Sequence, residues 1–300
     1  MWTFDDFDAW GEAISGASLR LANDGVERRE WTLGMVDLGS VVLQVASEGG
    51  GTICYGGNTH AGTLLFLPLT HAAEHVANGE RLDDESLFVI PRGADFRIHL
   101  RRHAHAWCSI ALPGNAEPWP GTTAASGRVA CGGRSIARLR SRVTDVVASL
   151  IGRGVGTAAH RTAAADVLAA VADCMPERSA VSRATGRPRL DRGEIVRSAM
   201  DVIDAATVAP TAADLATSVG VTSRTLLRTF HESFGVSPKR YLMLRQLHDV
   251  RRRLRGSATD DATVADVLAT HGVWEFGRFA ARYRRHFGEL PSQTLRRERG

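Results

Sequence analysis

Two arginines, Arg224 and Arg228, lie four residues apart in a segment that also places Leu226 and Phe230 four residues apart. An α-helix turns once in about 3.6 residues, so each pair lies along one face of a helix. The apolar pair predicts the buried face, and the arginines then lie on the opposite side. A guanidinium group can donate two parallel hydrogen bonds to a phosphate or to the O6 and N7 atoms of guanine. The segment therefore predicts an amphipathic helix whose polar face can bind nucleic acid.

The start of this helix carries further polar groups. Thr222 is in position to cap the helix, and Ser223 lies in the first turn, where hydroxyl and backbone N–H groups commonly contact phosphate. Leu227 lies on the same face as the arginines. The alternative interpretation is that both arginines are ordinary solvated surface residues. The candidate contacts on this helix are Thr222, Ser223, Arg224, Leu227 and Arg228.

The segment is part of an internal repeat. Leu226, Phe230, Phe234-Gly235 and Pro238 are followed, each 53 positions later, by Phe279, Tyr283, Phe287-Gly288 and Pro291. Glycine at a helix end accepts a left-handed conformation and proline beyond it cannot continue the helix, so each copy predicts a capped helix. A second short helix and a glycine turn precede each copy. Such a helix-turn-helix presents its second helix to the major groove of DNA.

The second copy carries different side chains. In the same register its exposed face has Gly277, Ala280, Ala281 and Arg284. Few of these can bond a base edge, so we expect this copy to hold the DNA backbone more than to read sequence. Glu275 can accept a hydrogen bond from cytosine N4, although a glutamate in a first turn also simply favours the helix dipole. The candidate contacts of this copy are Glu275, Arg278, Arg282 and Arg285.

Two such units joined by one helix resemble the DNA-binding domain of the AraC/XylS family of bacterial transcription regulators. The resemblance covers about residues 191–300, and its most specific stretch runs from Phe279 to Ser292. It implies an all-α C-terminal domain with a double helix-turn-helix. It also implies a cupin-like N-terminal half-barrel that binds an effector and helps form dimers. Expected partners are double-stranded DNA, an unknown small-molecule effector, a second copy of the chain and, for an activator, RNA polymerase.

The remaining sequence predicts an α+β chain. Residues from about 31 to 112 carry short Val, Leu, Ile and Phe runs between turn residues, which indicates a β-barrel or sandwich. From about 134 to 175 the apolar period becomes helical, which predicts an appended helical pair. We expect its apolar stripes to form a dimer surface; the alternative is packing inside the monomer. Residues 177–190 read as a linker, between an effector-sensing and dimerisation domain at 1–176 and the DNA-binding domain at 191–300.

The β-rich region also contains candidate effector contacts. Phe66, Phe88, Phe96 and Trp107 can supply apolar pocket walls, although aromatic residues in a small barrel more often fill it. Phe96 stands where metal-binding cupins tend to place a ligand, so the resemblance implies no metal, and we expect no cofactor. The stretch from His71 to His75 matches an inverted zinc-protease pattern but lacks a long helical stripe, so turn or surface histidines are the preferred interpretation.

Composition narrows the location and class of the protein. The formal net charge is +4, and the basic excess lies in the region from Arg189 to the C-terminus, as phosphate binding there requires. The four cysteines show no paired spacing, which fits a reducing cytosol. No apolar run approaches the ~18 residues of a membrane span, and the N-terminus is acidic where a secretory signal is basic. We therefore expect a soluble, cytoplasmic protein without a membrane partner.

Two classes of function fit these patterns. The first is a non-enzymatic, sequence-specific DNA-binding transcription regulator that a small-molecule effector controls. The second is a cupin-type enzyme or ligand carrier whose helical domain is merely basic. Binding to duplex DNA separates the two.

Overall fold

The chain forms two compact units, Met1–Gly186 and Arg187–Gly300. The computed structural model describes residues 1–100, 103–114, 125–152, 158–175, 192–206, 208–256 and 262–299. The linker predicted at 177–190 lies outside these ranges. None of the described helices combines the length and the apolar character that crossing a membrane requires.

The N-terminal unit is built on two antiparallel sheets. Its described strands are β1 (Trp2–Phe4), β2 (Ala17–Asn23), β3 (Trp31–Asp37), β4 (Val42–Glu48), β5 (Thr52–Asn58), β6 (Leu64–Pro68), β7 (His75–Ala77), β8 (Glu80–Arg81), β9 (Ser86–Ile90), β10 (Asp95–Leu100), β11 (His105–Ala111) and β12 (Gly127–Ala130). One sheet has the order β1-β3-β4-β11-β6-β9-β12, and the other has the order β2-β5-β10-β7-β8. The strands therefore extend beyond the predicted range of 31–112 at both ends. The added strands β1, β2 and β12 are held by pairing with β3, β5 and β9, which a local pattern does not reveal.

An aromatic core lies between the two sheets. It combines Phe66, Phe88 and Trp107 from the larger sheet with Phe96 and Ile98 from the smaller one. Alternation along each strand turns one set of apolar side chains toward this core. The larger sheet directs its other set, including Leu43, Leu65 and Ile110, to a second core. Each face of the larger sheet therefore needs an apolar cover.

Helices α2 (Gly133–Leu150) and α3 (Ala158–Cys174) cover that second face. Helix α1 (Phe7–Ala13) packs instead in the aromatic core, through Phe7 and Trp10. The α2 stripe of Ile136, Leu139 and Val143 is fully buried in the second core, together with Val167 and Val171 of α3. The predicted helical pair is confirmed, but the expectation that its stripes form a dimer surface is wrong. They pack inside the unit, because the sheet's own apolar face is their partner.

The C-terminal unit is helical throughout its described residues. Its helices are α4 (Arg192–Ala205), α5 (Ala212–Val219), α6 (Ser223–Phe234), α7 (Pro238–Arg255), α8 (Val264–Thr270), α9 (Phe276–Phe287) and α10 (Pro291–Arg299). Gly235 and Gly288 end α6 and α9 at φ values of 70° and 83°, where side chains other than glycine are strained. Pro238 and Pro291 then open the next helices. Both predicted capped helices are confirmed, and the chain as a whole mixes α and β structure.

Candidate nucleic-acid interface

The first helix-turn-helix consists of α5, a turn and α6. Thr211 and Asp214 form a capping box at the start of α5, and Gly220 ends that helix in the left-handed conformation. Thr222 caps α6: its Oγ1 accepts a hydrogen bond from the Thr225 backbone N–H at 3.1 Å. Its predicted cap position is therefore confirmed. Leu226 and Phe230 are buried, so the predicted face of α6 points into the core.

The opposite face of α6 presents the first-copy candidates. Ser223, Arg224 and Arg228 are exposed, and Leu227 keeps 43% of its surface accessible. Arg224 makes no hydrogen bond or ion pair within the described part of the chain. Arg228 differs, because its Nε donates to Glu232 Oε1 at 2.8 Å. Glu232 also pairs with Arg192 Nε at 2.9 Å, so Arg228 must give up a shared carboxylate before it binds another group.

The second helix-turn-helix consists of α8, a turn and α9. A capping box of Thr263 and Asp266 starts α8, as in the first copy. Phe279, Tyr283 and Phe287 form the buried face of α9. The Tyr283 hydroxyl and Thr294 Oγ1 are 2.8 Å apart, which ties α9 to α10.

The second-copy candidates surround the exposed side of α9. Glu275 precedes α9 without a side-chain cap bond and instead pairs with Arg278 Nη1 at 2.8 Å. Both side chains are mostly exposed, so solvent weakens this pair. Arg285 is exposed and Arg282 is half-buried; neither has an ion pair with the residues that the structure describes. The two arginines are therefore available to phosphate, whereas Glu275 is already occupied.

Two aromatic residues of this face were missed from the sequence. Trp274 is 77% exposed and Phe276 is 40% exposed, directly at the start of α9. The signal was present, because the buried period of Phe279 and Tyr283 leaves these two positions outside the core. Apolar side chains at the start of a recognition helix can contact the methyl group of thymine.

Some basic residues of this unit serve the fold. Arg251 is buried, with its guanidinium 4.3 Å from the centre of the Phe287 ring and Nη2 3.2 Å from Glu289 Oε1. Arg245 pairs with Asp204 at 2.8 Å. Arg251 and Arg245 are therefore held by contacts within the unit.

A cavity of about 80 Å³ lies in the aromatic core of the N-terminal unit. Phe66, Phe96 and Trp107, three of the four candidate effector contacts, line it. Phe88 is fully buried in the same core but is not among the lining residues. No group of three or more potential metal ligands occurs among the described residues.

Glu48, which sequence reasoning did not identify, is the one carboxylate among the residues that line this cavity. Its Oε1 accepts from Trp107 Nε1 at 2.6 Å and lies 2.9 Å from His105 Nε2, and its Oε2 accepts from Thr52 Oγ1. Burial raises the pKa of Glu48, but the charge of His105 and these hydrogen bonds outweigh it and hold the pKa below its usual range. Burial likewise lowers the pKa of His105, yet the carboxylate raises it above its usual value. The two groups therefore form a buried ion pair.

His75 lies beside this pair and stays neutral. Its ring meets the His105 ring edge-on at 4.9 Å, and its Nδ1 donates to the His71 carbonyl at 3.1 Å. Burial, with the charge of His105, lowers the pKa of His75 to about 3, although Glu48 opposes the shift. His71 has a left-handed backbone conformation, and Ala72–Glu74 form one short 3-10 turn. His71 and His75 therefore do not share the helical face that a zinc protease needs.

Acidification should destabilise the N-terminal unit through His75. The unfolded histidine binds a proton below about pH 6.5, whereas the folded one does so only near pH 3, so stability falls as pH falls through that window. From pH 7 to pH 5 we expect a loss of about 2 kcal/mol from this residue alone. His75→Phe should remove this part of the slope. Urea unfolding at both pH values, followed by tryptophan fluorescence, measures it.

The matched control is His103→Phe, at a position exposed to solvent. That variant should keep the slope of the parent protein. Equal slopes for the parent protein and His75→Phe would contradict the buried neutral state of His75.

Comparison with known proteins agrees with the geometry of the C-terminal unit. Residues 215–297 match the family described as "Helix-turn-helix domain". Over 76 residues the chain is 40% identical to XylDLEGF operon transcriptional activator 1 of Pseudomonas putida. This alignment covers 25% of this chain and 23% of that protein. Over 103 residues it is 35% identical to the probable thc operon regulatory protein of Rhodococcus erythropolis. This second alignment covers 34% of this chain and 31% of that protein.

A solved structure is also similar. The crystal structure of a probable AraC family transcriptional regulator from Rhodopseudomonas palustris CGA009 aligns at 32% identity and a TM-score of 0.32, covering 35% of this chain and 98% of that one. The alignments with the two curated relatives span less than a third of their length. Through its C-terminal double helix-turn-helix domain, the chain belongs to the AraC/XylS family.

Proposed function

We propose that this protein is a sequence-specific DNA-binding transcription regulator whose DNA affinity is controlled by a small molecule. The observation that carries the proposal is the pair of helix-turn-helix units, each with an exposed helix face that bears unburied arginines. Two units on one chain can contact two successive stretches of major groove, which supports a site longer than a single helix can read. Regulation of an operon is also what the names of the two curated relatives state of those proteins.

We assign different roles to the two copies. Arg224 is the principal base-reading group, because it is exposed and no described residue holds it. Arg228 contributes less to base recognition, since Glu232 binds its guanidinium group at 2.8 Å. Thr222 and Ser223 lie at the N-terminus of α6, where phosphate is favoured.

In the second copy, contact with the DNA backbone dominates. Arg282 and Arg285 bind phosphate, and Arg278 does so once it leaves its solvent-exposed pair with Glu275 at 2.8 Å. Trp274, Phe276 and, in the first copy, Leu227 add apolar contact to thymine methyl groups or sugars. The second copy therefore contributes affinity and a modest preference, and the first copy most of the sequence specificity.

The N-terminal unit is proposed as the effector-sensing part. Its facing sheets, with a cavity in the core between them, support a cupin-like barrel or sandwich that binds a small molecule without a metal. A typical coupling of about 1–3 kcal/mol would change operator affinity by roughly 5- to 150-fold. Homodimer formation remains part of the proposal, through a surface other than the buried stripes of α2 and α3. The proposed regulator acts in the cytoplasm and, as an activator of transcription, contacts RNA polymerase.

Three single substitutions in the full chain test the DNA assignments. Arg224→Ala should weaken binding to a duplex selected from a random pool by about 1–3 kcal/mol and relax preference at one or two base pairs. Arg228→Ala should have a smaller effect, because it also frees Glu232. Arg282→Ala should weaken matched and scrambled duplexes alike, since a phosphate contact carries no sequence information.

Arg92→Ala, at an exposed position of the N-terminal unit, is the matched control and should leave both affinities unchanged. Gel-shift titration on the matched and scrambled duplexes provides all the values. Selective loss on the matched duplex for Arg282→Ala, but not for Arg224→Ala, would reverse the assignment. Full retention of DNA binding in every variant would remove α6 and α9 from the interface, and failure of the parent chain to bind duplex DNA would favour a ligand carrier.

A further inference from the structure

We propose that the cavity of the N-terminal unit takes a small, neutral, apolar molecule with a single hydroxyl group, which donates its hydrogen bond to Glu48. This inference rests on the proposed effector-sensing function and names the chemical class of the effector. The hydroxyl binds at the one ionised group of the cavity lining, and the rest of the molecule lies against hydrocarbon walls.

The lining sets the apolar part of the ligand. Aliphatic and aromatic side chains from both sheets and from α1 make up most of it, among them Trp10, Leu19, Leu21, Phe66, Phe96 and Ile98. A cavity of about 150 Å³ binds benzene, so the cavity of about 80 Å³ takes a single ring such as that of benzyl alcohol only when its side chains move apart. Removing such a molecule from water into these walls supplies most of its affinity.

Glu48 offers an acceptor whose lone pairs the described residues do not all occupy. A carboxylate has about four lone-pair sites. Trp107 Nε1 at 2.6 Å and Thr52 Oγ1 each donate a hydrogen bond to it, and the His105 ring lies beside Oε1, with Nε2 2.9 Å away. Glu48 is itself among the residues that line the cavity. A hydroxyl donor from the ligand therefore adds a hydrogen bond to a carboxylate that two fixed donors and the His105 ring already position.

The charge balance selects a neutral donor. The charges of Glu48 and His105 compensate each other, with Oε1 and Nε2 2.9 Å apart, and His105 Nδ1 donates to the His103 carbonyl at 3.2 Å. The neighbouring His75 is neutral. An ammonium ligand would add an uncompensated positive charge to an apolar cavity, and a carboxylate ligand would place a second negative charge beside Glu48. A hydroxyl group adds neither.

A series of ligands that share one ring tests the class. Benzyl alcohol, toluene, benzylamine and benzoate should be titrated calorimetrically into the full chain at pH 7, with thermal shift as a second readout. We expect saturable binding of benzyl alcohol, binding of toluene at least about tenfold weaker because it lacks one charge-assisted hydrogen bond, and no saturable binding of the two ions. Saturable binding of benzoate or benzylamine, equal binding of toluene, or no binding in the whole series would overturn the proposal.

Two variants locate the binding. In Glu48→Gln the amide oxygen is taken by Trp107 and His105, so the preference for benzyl alcohol over toluene should fall to near unity. Leu19 lines the cavity from the edge strand β2, and Leu19→Phe adds side-chain volume there, so it should abolish binding of both molecules. If Glu48→Gln does not fold, the ligand series and the Leu19→Phe variant still test whether the cavity binds benzyl alcohol. Unchanged binding of benzyl alcohol to a folded Leu19→Phe protein places the site elsewhere and overturns the proposal.

DNA affinity measured on the same protein separates this inference from the function on which it rests. Binding of benzyl alcohol with the expected selectivity, but without any binding of duplex DNA, would refute the regulator and leave the ligand class intact. Tight DNA binding together with saturable binding of benzoate in place of benzyl alcohol would do the reverse.

Discussion

Binding of duplex DNA by the fragment 191–300 should weaken about 100-fold when monovalent salt rises from 50 to 200 mM. Each phosphate that a basic side chain neutralises contributes about 0.9 to the slope of log affinity against log salt, and roughly four contacts give this loss. Arg224, Arg278, Arg282 and Arg285 supply such contacts from the exposed sides of α6 and α9. The fragment should bind on its own, because both helix-turn-helix units and α4 lie within it.

Fluorescence anisotropy with a labelled random duplex measures the slope. The triple variant Arg278→Ala, Arg282→Ala and Arg285→Ala should reduce its magnitude by about 2 to 3 units. The control, Arg197→Ala on α4, removes one positive charge of the same unit at a position outside both recognition helices and should change the slope by less than one unit. A flat salt response of the unsubstituted fragment would refute phosphate binding by this unit.

Val143→Asp should unfold the N-terminal unit. Val143 has no accessible surface and packs in the core between the larger sheet and helices α2 and α3. The aspartate either carries a charge into an apolar core or is buried unpaired in its protonated form, and it also leaves unfilled volume. Each effect alone is among the few that destabilise a protein severely, so we expect a loss above about 4 kcal/mol.

Circular dichroism and sedimentation velocity distinguish the outcomes. Ala137→Asp introduces the same charge on the exposed side of α2, near its N-terminus, where it is favourable to the helix dipole. That variant should remain folded, with unchanged stability. A folded, monomeric Val143→Asp protein derived from a dimeric parent would contradict the internal core and restore the dimer surface predicted from the sequence.

The helices of the C-terminal unit were predictable because their determinants are local. Leu226 and Phe230, or Phe279 and Tyr283, are one helical turn apart, so the sequence alone identifies which side of each helix is buried. Thr222 and Gly235 act on backbone groups within a few residues of themselves, and the structure confirms the cap and the termination. The same local signals occur twice at a fixed spacing, so the sequence alone is sufficient to relate the domain to a family.

The role of each exposed arginine required the tertiary structure. Arg224 and Arg228 look equivalent in the sequence, but Glu232 links Arg228 to Arg192, which belongs to a helix much earlier in the chain. Arginine is usually exposed at the surface, yet Arg251 is buried against Phe287. Pairing across distant segments therefore decides which charges are available.

Periodicity and capping depend on neighbouring residues, so the β-rich and helical regions, the duplicated helix-turn-helix and the exposed helix faces are predictable from the sequence alone. What covers each apolar face depends on packing between distant segments. The α2 stripe is covered by its own sheet, and Glu48 bonds to Trp107, 59 residues away, in the lining of a cavity. Periodicity identifies the apolar face of a helix or strand but not its partner, because the partner is chosen by the free energy of burying both surfaces together.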